Sequence, residues 1–378
     1  MAYQFNGNDS HTLGVEIELQ LVDRETGALT NRVEEILGRV PTELEPFIKP
    51  EFMQSYCEIN TGVCHTVAEI ERDLKEKLRW MHGTADELGV DILWGGTHPF
   101  SLWSDQKISR GERYAWLMDT MQYVARRLVV FGLHIHVGVD SGDKAIQMCD
   151  RLLRHLPTLL ALSTNSPYWC GGDTGLASYR TKIMEALPTA GIPNTLRNWS
   201  EYCWLVENLV ETGFIESIRE IWWDVRPHHS YGTVEIRIMD QPMNMKHLLG
   251  LVALTQSLVA GISADIDRGA YLYDCHPMIA KQNKWHAARH GMDARLVDFD
   301  TMLAIPARQA ASRLMERCAP IADRLDCRPY LANLDDILRE GTGARRQRNV
   351  MRSSTDLRDV VRFMVEQSRE SIDDPARA

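Results

Sequence analysis

Three stretches of this chain alternate apolar and polar residues with a period of two, and each sets ionisable side chains on its polar side. In residues 12–22, Leu13, Val15, Ile17, Leu19 and Leu21 fall on one face and Glu16, Glu18 and Gln20 on the other. Near residue 135, Leu133, Ile135, Val137 and Val139 oppose His134, His136 and Gly138. In residues 233–239, Val234, Ile236 and Ile238 oppose Thr233, Glu235 and Arg237. Such alternation marks half-buried strands, because successive side chains of a strand point to opposite faces of the sheet. Strands covered on both faces read instead as continuous apolar runs. The chain is therefore constrained to a sheet with one polar, open face and helices on the other.

The helices follow from a different period. Over residues 66–88, Val67, Ile70, Leu74, Leu78, Met81, Ala85 and Leu88 recur in steps of three and four, with Thr66 and Glu69 as a capping box and Gly89 as the stop. A strand over 90–94 ends at Gly95-Gly96. Further helices are predicted over 114–127 and 144–162, and helices dominate from residue 246 onward. Residues 165–198, rich in Gly, Pro, Thr and Asn, read as a long loop excursion of the kind that often forms a functional lid. A length of 378 residues admits one domain or two. With no internal repeat, linker or shift in composition, a single α+β domain over 1–378 is the simpler expectation. Its flexible ends would span about ten residues at the N-terminus and about eight at the C-terminus.

A formal net charge of -10 argues against nucleic acid as the main partner, because phosphate backbones are bound through basic surface. The eight cysteines include no Cys-x-x-Cys pair, which fits free thiols in a reducing compartment. No basic N-terminal segment precedes an apolar core, and no uninterrupted apolar run reaches the roughly 18 residues that span a membrane. A cytoplasmic protein without a membrane partner is expected. There is no Gly-Lys-Ser/Thr of a P-loop and no Gly-x-Ser-x-Gly elbow.

Burying acids costs free energy unless they meet cations or metal. Glu16, Glu18, Glu58 and Glu235 lie on polar strand faces, and Glu51 precedes Glu58 by seven residues. If these strands pair, five carboxylates converge, and oxygen-rich sets of that kind select Mg²⁺ or Mn²⁺ over zinc. His134 could add one nitrogen ligand. Taken singly, a Glu-x-Glu is usually a solvated face and a His-x-His usually not a metal site. The coincidence on three strands carries the argument. Glu235 beside Arg237 suits phosphoryl transfer, a metal-binding acid next to a guanidinium, although a surface ion pair across i, i+2 reads the same way. Asp224, Arg226 and His228 lie just upstream. Two basic, partly Gly-rich segments, 283–291 with Lys284 and Arg289 and 341–346 with Arg345, are candidate contacts for nucleotide phosphates.

The motifs Gly14-Val15-Glu16-Ile17-Glu18, Gln54-Ser55 with Glu58-Ile59-Asn60-Thr61, Gly132-Leu133-His134-Ile135-His136-Val137-Gly138, Trp223-Asp224-Val225-Arg226-Pro227 and Gly232-Thr233-Val234-Glu235-Ile236-Arg237 occur in this order. Together they resemble the bacterial carboxylate-amine ligase family, also called glutamate-cysteine ligase type 2, over nearly the whole chain. The resemblance implies a fold similar to glutamine synthetase, with a curved, mainly antiparallel sheet forming a funnel for ATP and two or three metal ions. It implies that Glu16, His134 and Glu235 hold the metal nearest the nucleotide, and Glu18, Glu51 and Glu58 the one nearest the acid. Arg237 would stabilise the phosphoryl group in flight, and Arg226 and Arg345 would touch phosphate. His286 stands where another basic residue is expected, and Arg345 where an acidic one is more typical.

The implied reaction joins a glutamate-like acid to an amine such as cysteine through an acyl phosphate, in a homodimer. Three other readings remain open on the residues: a phosphotransferase of the same fold group, a zinc hydrolase using His134 and His136, and a binding protein without catalysis.

Overall fold

A computed structural model of the chain describes residues 3–8, 10–270 and 275–373. Of the ends expected to be loose, residues 1, 2, 9 and 374–378 lie outside the described residues. Asn6 and Asn8, within that N-terminal stretch, donate backbone hydrogen bonds to His229 O and Val139 O at 2.9 and 2.8 Å.

The strands are β1 (Leu13–Asp23), β2 (Ile48–Pro50), β3 (Tyr56–Asn60), β4 (Val90–Leu93), β5 (Gly132–Gly138), β6 (Tyr168–Trp169), β7 (Gly172–Asp173), β8 (Val225–His228), β9 (Thr233–Asp240), β10 (Arg295–Val297) and β11 (Ala304–Pro306). Seven of them form one sheet in the order β2-β3-β1-β5-β9-β8, with β4 also paired to β1. Every pairing in it is antiparallel. The alternation read from the sequence sets the faces. Leu13, Val15, Ile17, Leu19, Leu133, Ile135, Val137, Val234 and Ile236 are all at most 1% exposed and belong to one apolar cluster. That cluster also takes the apolar stripe of helix Val67–Glu87 and much of helix Met245–Asp267. Each such side chain contributes about 1.5–3 kcal/mol of transfer free energy, so the apolar face is a stiff platform for what stands on the other.

Several helical boundaries differ from the sequence reading. The helix over 114–127 is two, Glu112–Met121 and Tyr123–Arg126, because Gln122 takes φ 47 and interrupts the hydrogen-bond ladder. The helix over 144–162 is also two, Gly142–Leu152 and Leu156–Ser163, with Pro157 in the first turn of the second. A proline lacks the N–H that a continuing helix needs but is tolerated at a helix start. Thr66 caps its helix as expected, accepting from Glu69 N at 3.2 Å, and the Glu69 carboxylate accepts in turn from His65 N at 2.6 Å. Helix Met245–Asp267 is long and apolar enough to cross a membrane by composition, yet 72% of its apolar window is buried inside the protein.

The excursion over 165–198 is irregular but anchored. It carries β6, β7 and the short helix Arg180–Met184. At the end of β9 the buried Asp240 carboxylate accepts from Asn165 N, Ser166 Oγ and Ser178 Oγ at 2.8, 2.7 and 2.8 Å. Asp240→Ala strands these three donors, so unfolding stability should fall by roughly 3 kcal/mol. Urea denaturation measures this, and an unchanged midpoint would show that the excursion is held by other contacts.

Candidate active site

Strand register turns residues distant in sequence into neighbours. Because β1 lies between β3 and β5, Glu18 faces Glu58 and Glu16 faces His134. Pairing of β5 with β9 sets His136 against Glu235, β8 sets Arg226 against Glu235, and β2 sets Lys49 against Glu58. Directly opposed side chains in antiparallel pairs lie about 4.5–5.5 Å apart at Cβ, within reach for shared ligands. Over this face opens a cavity of about 510 Å³, lined by all six sequence-nominated metal ligands together with Arg226 and Arg237.

Two clusters of possible metal ligands stand in it. In the first, ligand atoms of Glu16, His136 and Glu235 lie within 4.8 Å of one another. His136 Nε2 is 3.4 Å from Glu16 Oε1 and 3.9 Å from Glu235 Oε1. His134 Nδ1 is 3.3 Å from the other Glu16 oxygen. The trio that closes thus contains His136, with His134 beside it. His134 keeps a buried Nε2 without a hydrogen-bond partner among the described residues, while His136 turns its Nε2 to Glu16. Glu235, 1% exposed, is paired with Arg226 Nε at 2.6 Å and with Arg237. Burial pushes the Glu235 carboxyl up, but Arg226 and Arg237 outweigh it and hold it well below the usual range. Burial likewise raises Glu16, and hydrogen bonds from His134 and His136 hold it well down. Burial and the Arg237 charge lower His134 to about 4, which leaves a neutral imidazole fit for a metal.

The second cluster, Glu18, Glu51 and Glu58, has carboxylate oxygens within 4.8 Å of one another and behaves in the opposite way. Burial and the charges of Glu58 and Glu18 push Glu51 well above its ordinary value. Burial and Glu16 raise Glu58. Burial raises Glu18 to about 7 despite Arg180. Three crowded carboxyls that resist ionisation are a donor set suited to a hard divalent cation such as Mg²⁺ or Mn²⁺.

The structure also places residues that motif reading missed. Arg180, delivered by the anchored excursion, is 4% exposed, lines the cavity beside Glu18 and reaches Arg237 O at 3.4 Å. Nothing in its sequence neighbourhood announces it. Gly132 lies under it, since an added Cβ would run into the Arg180 guanidinium, and its amide donates to Glu18 Oε2. Tyr231 stacks on His228 at 4.1 Å, and both rings border His136.

Three nominated phosphate contacts are not among the residues lining the cavity. Lys284 is buried between Asp224 at 2.6 Å and Glu185 at 2.8 Å, which neutralise its charge. Arg289 donates to Gly175 O. Arg345 is half exposed and 3.9 Å from Asp293.

Residues 12–374 match the sequence profile of glutamate-cysteine ligase family 2. The chain is 42% identical over 363 residues to a protein provisionally named glutamate–cysteine ligase 2 from Gloeobacter violaceus, covering 96% of this chain and 98% of that one. It is 42% identical over 368 residues to a protein provisionally named glutamate–cysteine ligase 2-1 from Rubrobacter xylanophilus, covering 97% of each. Among solved structures it is similar in fold to a glutamate–cysteine ligase from Francisella tularensis in complex with AMP. That similarity has a TM-score of 0.71 at 14% identity and spans 98% of this chain and 89% of that one.

The raised trio gives metal binding a pH signature. Without metal the folded protein retains protons on Glu18, Glu51 and Glu58 that the unfolded chain releases. Ionising them therefore costs stability as pH rises from the ordinary 4.5 through about 7. A divalent cation needs the ionised form, so its binding releases protons. The rise in Tm on adding Mg²⁺ should grow over that window and shrink in Glu58→Gln. Thermal melts with Mg²⁺ and with chelator across pH measure it. An increment flat in pH and equal in the variant would show that the trio does not hold the cation.

Proposed function

The chain belongs to glutamate-cysteine ligase family 2, and on that premise we propose that it is an ATP-dependent carboxylate–amine ligase acting through an acyl phosphate. The observation that carries this reading is the pairing of two carboxylate clusters across one sheet, with Arg180, Arg226 and Arg237 in the same cavity. A zinc hydrolase built on His134 and His136 would leave Glu18, Glu51, Glu58 and Arg237 without a purpose. Attack of a carboxylate on ATP brings two anions together, which is the problem this charge distribution solves.

Glu16, Glu235 and the two histidines would hold the cation on the nucleotide side, and Glu18, Glu51 and Glu58 the one on the acid side. Mg²⁺ or Mn²⁺ at these places, two or three ions in all, supplies charge neutralisation for the phosphates and the acid. The substrate carboxylate attacks the γ-phosphoryl group in line. Arg237, oriented by its ion pair with Glu235, faces the charge that develops on the equatorial oxygens. Arg180, from the other side, holds the acid's carboxylate near Glu18. The amine then displaces phosphate and forms the amide. Tyr231 and His228, stacked at the cavity wall beside the first cluster, offer a ring platform for the adenine. The relatives' names nominate glutamate and cysteine as the substrate pair. We read the chain as one catalytic domain, active in the cytoplasm as a homodimer.

ADP release should require acid, amine and Mg²⁺-ATP together. It should be abolished in Glu235→Gln and should fall about 10²–10³-fold in kcat, with little change in KM for ATP, in Arg237→Lys. A coupled assay of ADP reads this. Release with acid alone would identify a phosphotransferase, and turnover without ATP would identify a hydrolase.

A further inference from the structure

The cavity is chemically lopsided. At the first cluster its walls are charged or aromatic: Arg226, His228, Tyr231. At its other end Leu117, Leu128, Val130, Met184, Leu187 and Trp222 line it, and all six belong to one contiguous apolar cluster that also contains Phe52 and Tyr56 next to Glu51. The wall is assembled from four separate places: the Glu112–Met121 helix, the turn before β5, the anchored excursion and the approach to β8. None of the described lining residues is Ser, Thr, Asn, Gln or Cys. Neutral polar groups on a substrate would find only the tyrosine hydroxyls and charged side chains there, whereas an apolar group can pack against the half-buried Met184 and Trp222 of this wall.

We propose that the acceptor amine carries a branched-aliphatic or aromatic group that packs on this wall, in place of the cysteine that the relatives' names suggest. The inference rests on the ligase reading above. The acid's reacting carboxylate is held by Arg180 and the second cluster, so the polar requirements of that substrate are met at the cluster. The amine must reach the acyl carbon unprotonated, and an ammonium would be drawn to the three carboxylates. Packing beside an apolar wall disfavours the charged form and keeps the nitrogen nucleophilic. As the C–N bond forms, the amine gives up a proton and the C–O bond to phosphate breaks, leaving amide and inorganic phosphate. Where the acceptor is an amino acid, its carboxylate can face Arg219, an exposed cavity-lining cation.

Hydroxylamine separates the two claims, because it is small enough to capture an activated acid without using the wall. Hydroxamate formation is measured first with Mg²⁺-ATP and a panel of acids that includes glutamate and simple aliphatic acids. With the best acid, leucine, phenylalanine and isoamylamine are then compared with cysteine, alanine and serine by ADP release. At least one apolar acceptor should exceed the small ones by roughly tenfold or more in kcat/KM. Leu187→Asn should lower its ratio to hydroxylamine, and the panel on the unaltered protein decides the matter even if that variant fails to fold. Equal or better use of cysteine or alanine, with hydroxamate still formed, overturns this inference and leaves the ligase standing. A preference for apolar acids without any preference among amines overturns the assignment to the acceptor. No hydroxamate with any acid overturns the ligase reading and this inference together.

Discussion

Five carboxylates on one sheet face repel one another, and most of what surrounds them can be understood as an answer to that repulsion. Glu16, Glu18, Glu58 and Glu235 are crowded by strand register, and Glu51 joins them from the position just after β2. Their positions are therefore as rigid as the apolar face beneath them. Holding charge in so fixed a geometry is tolerable only where countercharges or cations are equally fixed. Arg180, Arg226 and Arg237 supply the protein's share, each buried and each from a different segment.

That share is divided unevenly, and the division gives the site its direction. Around Glu16 and Glu235, guanidinium and imidazole groups outweigh burial and keep the acids ionised. Around Glu18, Glu51 and Glu58, burial and mutual repulsion win, although Arg180, Arg237, Lys49, Asn60 and the amides of Gly132 and Phe52 stand against them. One end of the cavity thus has its carboxylates matched by countercharge, while the other keeps carboxyls that burial and repulsion hold against ionising. For the proposed ligase such a gradient would help order the arrival of nucleotide, metal and acid, because each bound cation lowers the cost of the next anion.

What the sequence disclosed and what it hid follow the same physical line. Alternation on β1, β5 and β9 was legible because a strand's two faces are written into every second residue, and the antiparallel sheet with its polar side followed. Whether His134 or His136 closes the first trio was not legible, since both lie on the same face and only the bulge in β5–β9 pairing distinguishes their reach. Arg180 was invisible because its place is set by Asp240, sixty residues on, through hydrogen bonds with no sequence period. Lys284 misled for the converse reason. A basic segment looks available for phosphate, and only packing reveals that Asp224 and Glu185 have already taken the charge. The break at Pro157 was readable from helix chemistry, whereas the one at Gln122 depends on a backbone conformation that composition does not announce.

β9 ties these levels together. Its middle carries Glu235 and Arg237, and its last residue, Asp240, fastens the excursion that supplies Arg180, Met184 and Leu187 to the cavity. The strand that bears Glu235 and Arg237 therefore also fixes the wall against which we place the acceptor. Substitutions at Met184 or Leu187 alter the shape of that wall without touching strand register. Substitutions at Asp240 disturb wall and Arg180 at once. On the proposed ligase reading, selectivity for the amine is in this way free to vary on a loop, while the charges assigned to the acid stay locked in the sheet. On that reading, such an arrangement would let one sheet platform serve different acceptors.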